Sequence, residues 1–282
     1  MAVKILIDSA SDISQKEAKD LGVETIPLEV RFGDDEYLDG VTLLSEEFYE
    51  KLVESDVLPQ TSQIPPYRFE KEFKKLCESG DEVVAITLSS KLSGTYLSAV
   101  DAAKKFEGKV YVVDSLNATI GERLLCQLAL RKVKEGKSAA EIKAILDEEK
   151  KNINLIALVD TLEYLKKGGR ISSAVAAVGS LLSIKPVIGV VDGEVKMVGK
   201  AMGSKKGNNL LCRLIEEKGI DFDMPYGIVW SGLSSAVMEK YLSDSAHIWK
   251  EHTSCVPTHI IGSTIGTHVG PGAVGVAFFG KK

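Results

Sequence analysis

Through the first half of the chain, apolar runs of four to six residues alternate with helical patterns. Val3-Lys4-Ile5-Leu6-Ile7, Val83 to Leu88 and Val110 to Val113 are such runs. Short apolar runs between helices predict parallel strands covered on both faces. The helices announce their ends. Ser14 and Glu17 are spaced as a capping box, and the helix they open ends near Gly22. Thr95 to Phe106 predicts a helix stopped at Gly108, and a helix from about Gly121 to Glu135 follows the third strand. Ser138 and Glu141 form a second capping box, opening a helix towards Lys150. The first half therefore reads as α/β, with a doubly wound, mainly parallel sheet.

The second half changes pattern. Ile184 to Val190 and Glu194 to Gly199 flank Asp192-Gly193, a strong hairpin signal. Gly227 to Trp230 and Val274 to Phe279 predict further strands, with helices near Lys206 to Glu217 and Ala236 to Trp249. This predicts an α+β domain with a mixed sheet. The boundary is expected near residues 155 to 165, giving domains 1-160 and 161-282. At roughly 150 residues per domain, 282 residues agree with two.

Composition narrows the function. A hydrophobic share of 44% with 27% charged residues is that of a globular protein. Thirty-five basic against 40 acidic residues give a net charge of -5, which argues against the broad basic surface of a nucleic-acid binder. Aromatic residues, at 6%, offer little for base stacking. Cys77, Cys126, Cys212 and Cys255 lie far apart, without CxxC pairs, and are expected as buried reduced thiols. The four histidines show neither HExxH nor zinc-finger spacing, so no metal is expected. The N-terminal apolar run is too short for a signal peptide, and Ile171 to Val191 is interrupted by Lys185, Pro186, serines and glycines. A cytoplasmic protein is expected.

Open α/β sheets bind ligands beyond the carboxyl ends of their strands. Three strands here run into polar groups: Asp8-Ser9-Ala10-Ser11-Asp12, Ser89 to Thr95, and Asp114-Ser115. Each alone reads more readily as a helix cap; three at one sheet edge point to a site. Ser93-Gly94-Thr95 stands where a loop enters a helix, whose free N–H groups favour an anion. It matches neither the Walker loop nor the GxSxG elbow, so Ser93 reads as a donor rather than a nucleophile. Thr61-Ser62-Gln63 sits in a rigid, extended, proline-bounded loop. Gly262 to Gly272, with four glycines and a proline, reads as a tight loop carrying His268, which is suited to partner a carboxylate. Lys166 to Ser172 reads either as a solvated basic loop or as the holder of Arg170, a fixed cation behind the site.

Taken together, these clusters resemble the DegV family of bacterial fatty-acid-binding proteins over nearly the whole chain. The resemblance rests on Asp8 to Asp12, Thr61-Ser62-Gln63, Ser89-Ser90 through Leu92-Ser93-Gly94-Thr95-Tyr96 to Ser98-Ala99, Gly168-Gly169-Arg170-Ile171, and Gly266-Thr267-His268 through Gly270-Pro271-Gly272. Ile64 departs from it, standing where proline often follows Thr-Ser-Gln. The resemblance implies one long-chain fatty acid held between two domains. Its carboxylate would meet the Thr61 and Ser93 hydroxyls and His268, with Arg170 supporting the histidine and Ser62, Gly94 and Thr95 nearby. It implies a carrier rather than an enzyme, with no cofactor, expected as a monomer with at most transient membrane-surface contact. A separate fatty acid kinase subunit of the dihydroxyacetone-kinase type would phosphorylate the carboxylate, feeding phospholipid synthesis.

The chemistry agrees with that implication. A carboxylate away from water needs donors or it takes up a proton. The small residues of Ala174 to Leu182 suit either an acyl tunnel or close helix packing. Two other readings stay open: an esterase with a triad of Ser93, His268 and Asp8 or Asp114, and a sugar-phosphate or other small-anion binder. A long apolar cavity favours the lipid; a shallow wet site favours the anion.

Overall fold

The computed structural model describes residues 2–172 and 184–282, so the run Ala174 to Leu182 lies outside the described residues. β1 (Val3–Asp8) is buried from Ile5 to Asp8, as a strand covered on both faces must be. After a 3-10 turn at Ser9–Ser11 comes α1 (Gln15–Leu21), whose capping box forms and which Gly22 closes at φ +71°. β2 (Glu24–Ile26), β3 (Glu29–Phe32), β4 (Asp35–Leu38), α2 (Ser45–Glu54) and β5 (Gln60–Ser62) follow. Then come α3 (Pro66–Cys77), β6 (Glu82–Thr87), α4 (Thr95–Ala103), β7 (Val110–Asp114), α5 (Thr119–Lys134) and α6 (Ala139–Glu149), the last opened by the Ser138–Glu141 box.

β8 (Ile153–Leu158) and α7 (Glu163–Lys167) lead to the hairpin of β9 (Ile184–Val191) and β10 (Glu194–Met202). The remaining elements are α8 (Gly203–Lys218), β11 (Tyr226–Trp230), α9 (Ala236–Asp244), α10 (Ala246–Trp249), β12 (Thr258–Ile260), α11 (Ser263–Val269) and β13 (Val274–Phe279). No helix among the described residues is long and apolar enough to cross a membrane.

Three sheets result. The first, β2-β1-β6-β7, is wholly parallel, and its order reverses between β1 and β6. That reversal opens a crevice at their carboxyl ends, beside Asp8 and Thr87. The second, β10-β9-β8-β13-β11-β12, is mixed, with only β11 and β12 parallel. The third is a small antiparallel sheet, β4-β3-β5. The doubly wound first half and mixed second sheet are those the sequence predicts. β8 precedes residue 160, yet both its partners, β9 and β13, lie in the second half.

Alternation in the second sheet decides what each face does. Ile156 and Leu158 of β8, Val187 of β9, and Val274, Val276 and Phe278 of β13 pack against Leu211, Ile215 and Tyr241 of the flanking helices. Leu155 and Ala157 of β8 therefore face the other way, towards the first half.

Several local expectations are corrected. Gln60-Thr61-Ser62 is not a loop but strand β5, with Thr61 opposite Val30 of β3. Gly262 to Gly272 is not wholly a tight loop, because residues 263 to 269 form helix α11. Ala236 to Trp249 is two helices rather than one, broken at Ser245, whose hydroxyl accepts from the Trp249 indole at 2.9 Å. Cys77, Cys126 and Cys212 are buried as expected, but Cys255 is exposed.

α11 forms because distant carboxylates cap it. Gly262 N–H donates to Asp12 Oδ1 at 2.8 Å, and Ser263 donates to Asp39 Oδ1 through its N–H at 3.0 Å and its hydroxyl at 2.6 Å. Asp39 also accepts from Ser9 Oγ at 2.9 Å. Asp39→Ala should therefore strand three buried donors and lower stability by about 3 kcal/mol. Urea unfolding checks this; a loss under about 1 kcal/mol would show that water replaces the carboxylate.

Candidate functional site

Between the carboxyl edge of the first sheet and the inner face of the second lies a cavity. Its walls are mostly apolar, with Leu155 and Ala157 of β8, Ile188 and Val190 of β9, and Val229 of β11 on one side. Leu28, Leu88, Ala118, Ile261 and Ile265 supply much of the rest. Small residues hollow out the sheet face: a Cβ on Gly275 would stand 3.1 Å from Ala157 Cβ and 3.3 Å from Val229 Cγ2.

The polar lining is contiguous. Thr61, Ser62, Gln63, Ser93, Arg170 and His268 all reach the cavity. β5 presents Thr61, and α11 presents His268, whose Nε2 lies 2.9 Å from Thr61 Oγ1. Either atom is the donor according to the imidazole tautomer. Gly168 packs onto the other side of the ring, where any Cβ would collide with Nδ1. That nitrogen has no hydrogen-bond partner. Burial first, and the Arg170 charge second, hold the His268 pKa down at about 4, so the ring is neutral at pH 7.

Arg170 is fixed by carbonyls. Its Nε donates to Leu92 O at 3.1 Å and its Nη1 to Gly168 O at 2.6 Å. Neither contact is to the ring, so Arg170 acts on His268 through its charge and through Gly168. Arg170 and Leu92 also line an outer groove with Ser172 and Glu194, so this end of the cavity lies next to the surface.

Ser93 precedes α4, where its hydroxyl accepts from Thr95 N–H at 3.3 Å and lies 2.9 Å from Thr95 Oγ1. Thr95 Oγ1 in turn accepts from Ile64 N–H at 3.3 Å, tying α4 to the end of β5. Thr95 thus stands behind the wall, supporting Ser93. Gly94 is also behind it; a Cβ there would collide with the Gln63 amide. Gln63 itself lines the cavity and donates to Ser98 Oγ at 3.3 Å. It was legible only as part of the Thr-Ser-Gln motif, and no chemistry of its own marked it.

The remaining strand-end acids hold loops. Asp8 accepts from Ala10 N–H at 2.9 Å and Leu88 N–H at 2.8 Å, and burial raises its pKa to about 7. Asp114 accepts from Ser90 N–H at 3.1 Å and Leu116 N–H at 3.0 Å. Neither carboxylate bonds to the His268 ring, so the esterase triad does not assemble.

Over residues 2–281 the chain matches the family model described as uncharacterised protein, DegV family. It belongs to the DegV family. A DegV domain-containing protein of Caldanaerobacter subterraneus is 36% identical over 282 residues, 99% of each chain. Among solved structures, a fatty-acid-binding DegV family protein from Thermus thermophilus superposes with a TM-score of 0.89 at 30% identity, covering 100% of both chains. A DegV lipid-binding protein from Thermotoga maritima gives 0.85 at 32% identity, covering 100% of this chain and 99% of that one.

The buried neutral ring has a measurable signature. The folded pKa of His268 lies below the unfolded 6.5, so its contribution is complete above about 6.5 and is lost as pH falls towards 4. Asp8 and Asp12, raised from 3.8 to about 7, have the opposite sign and cost stability as pH rises through that window. Replacing the ring isolates its part. His268→Gln should lose less stability than the unaltered protein between pH 6.5 and 4, read by thermal unfolding across pH. Parallel curves would mean that the ring titrates normally in the folded state.

Proposed function

We propose that this protein binds one long-chain fatty acid in the cavity and presents the carboxylate to a separate kinase subunit for acyl phosphate formation. One observation carries the reading: an apolar cavity lined also by Thr61, Ser93, Arg170 and His268, with Arg170 reaching the outer groove. The fatty-acid and lipid binding named for the full-length neighbours supports it. A small-anion site needs a shallow wet cleft, and these walls are dry.

The residues divide the work. Thr61 and Ser93 offer hydroxyls to the carboxylate, His268 offers Nε2, and the Arg170 charge favours the anion. A carboxylate beside His268 also favours the imidazolium, so binding raises that pKa from about 4. Burial of a sixteen-carbon tail contributes about 0.8 kcal/mol per methylene, roughly 12 kcal/mol before ordering costs. A ligand held this way stays bound through purification.

The sequence has no GxxxxGK[ST] loop, so ATP and its metal come with the partner, of the dihydroxyacetone-kinase type. The partner reaches the carboxylate from the outer groove beside Arg170. Between phosphorylation cycles the protein acts as a cytoplasmic monomeric carrier without a cofactor of its own. Its acyl phosphate passes to phospholipid synthesis, and its contact with membrane surfaces is transient.

Solvent extraction of purified protein should release about one fatty acid per chain, measured by mass spectrometry. Recovery of none from a folded sample would overturn the lipid reading. Ser93→Ala and Thr61→Val should each weaken carboxylate binding by about 2 kcal/mol and slow phosphate transfer more than they reduce lipid content. Full transfer in both variants would move the head group elsewhere. Acyl phosphate formed from ATP without the kinase subunit would contradict the carrier role.

Ala157→Leu should fill the tunnel opposite Gly275. Lipid per chain should fall severalfold, while the unfolding temperature of the lipid-free protein stays within a few degrees of the original. Undiminished lipid content would place the tail away from β8.

A further inference from the structure

The cavity contains a hydroxyl that neither the protein nor a carboxylate head group uses. Thr264 is 2% exposed and lines the cavity, and its Oγ1 has no hydrogen-bond partner. The protein readily satisfies such groups nearby: Thr267, on the same helix, donates to Ser263 O at 2.8 Å. Valine has almost the same shape as threonine and would line an acyl tunnel without a stranded polar atom.

Its position follows from the helix. Thr264 precedes His268 by four residues on α11, so the two side chains share a face about 6 Å apart. His268 marks the carboxylate end. Thr264 lies one turn towards the helix N-terminus, which Asp12 and Asp39 hold inside the molecule. The hydroxyl therefore meets the acyl chain rather than its head. About 6 Å corresponds to roughly four to six carbon–carbon bonds of an extended chain.

We infer that Thr264 is a specificity determinant that selects acyl chains bearing an oxygen substituent, a hydroxyl or keto group, a few carbons from the carboxylate. This rests on the fatty-acid reading above. A hydroxyl both donates and accepts, so Thr264 serves either substituent. A plain hydrocarbon tail leaves it unpaired, and a site with an unpaired buried polar group discriminates against the ligand that cannot satisfy it.

Competition on delipidated protein tests this, with labelled palmitic acid displaced by palmitic, 5-hydroxypalmitic or 15-hydroxypalmitic acid. The 5-hydroxy acid should bind about tenfold more tightly than palmitic acid, and the 15-hydroxy acid no more tightly. Thr264→Val should abolish the preference and bind palmitic acid at least as well as before. Thr264→Ser, which keeps the hydroxyl, should retain it. Equal affinity for palmitic and 5-hydroxypalmitic acids in the unaltered protein overturns the inference and leaves fatty-acid binding standing. So does a preference that survives in Thr264→Val. Failure of folded protein to bind any of the three acids overturns the fatty-acid reading and this inference with it.

Discussion

Two carboxylates from the first half of the chain, Asp39 buried and Asp12 partly so, grip the start of a helix near its end, and the site depends on that grip. The first N–H groups of a helix have no partners within it, and carboxylates are their strongest acceptors. Asp12 takes Gly262 N–H and Asp39 takes Ser263, 250 and 224 residues away along the chain. Asp12 reaches its position in a left-handed conformation, φ +56°. Arg123 braces it from behind, donating to Asp12 O at 2.6 Å and to both oxygens of Glu17 at 2.9 Å. This anchoring fixes the start of the helix that carries His268 to Thr61.

The grip has an electrostatic cost, which the surroundings moderate. Burial raises Asp12 to about 7, against the lowering effect of Thr119 O–H and Gly262 N–H. Burial first, and the neighbouring Asp8 and Asp12 second, push fully buried Glu122 well above the usual carboxylate range. His259, between Arg123 and Glu17, is lowered to about 4 mainly by burial. Burial thus disfavours the charged forms of Asp12, Glu122 and His259 alike. The same principle operates at the site, where His268 is kept neutral next to a fixed guanidinium.

Space at the site is set by glycines. Gly168 lets the backbone lie against the His268 ring, Gly94 admits the Gln63 amide, and Gly275 leaves the sheet face open opposite Ala157. Each removes a Cβ where two elements approach, the first two tightening the polar wall and the third widening the tunnel. Apolar walls and a polar end follow from the period-two alternation of β8 and β13 meeting the carboxyl edge of the parallel sheet.

The strands and helices of the first half were legible in the sequence because their signals are local. Ile5 to Ile7 and Val83 to Ile86 are continuous apolar runs, and the boxes at Ser14 and Ser138 lie within four residues. Thr61, Ser93, Arg170 and His268 were legible as members of motifs, though not in their contacts. β5 was not legible, because Gln60-Thr61-Ser62 is polar and becomes a strand only beside β3. Nor was α11, since a segment rich in glycine and threonine has little intrinsic helix propensity and takes its caps from Asp12 and Asp39. Local pattern therefore determined the layers and named the chemically able residues. Only the tertiary structure decided which of them meet, that Thr95 and Gly94 stand behind the wall, and that Thr264 faces the cavity unpaired, because those facts depend on groups far apart along the chain, 31 residues for Ile64 and Thr95 and 207 for Thr61 and His268, sharing one volume.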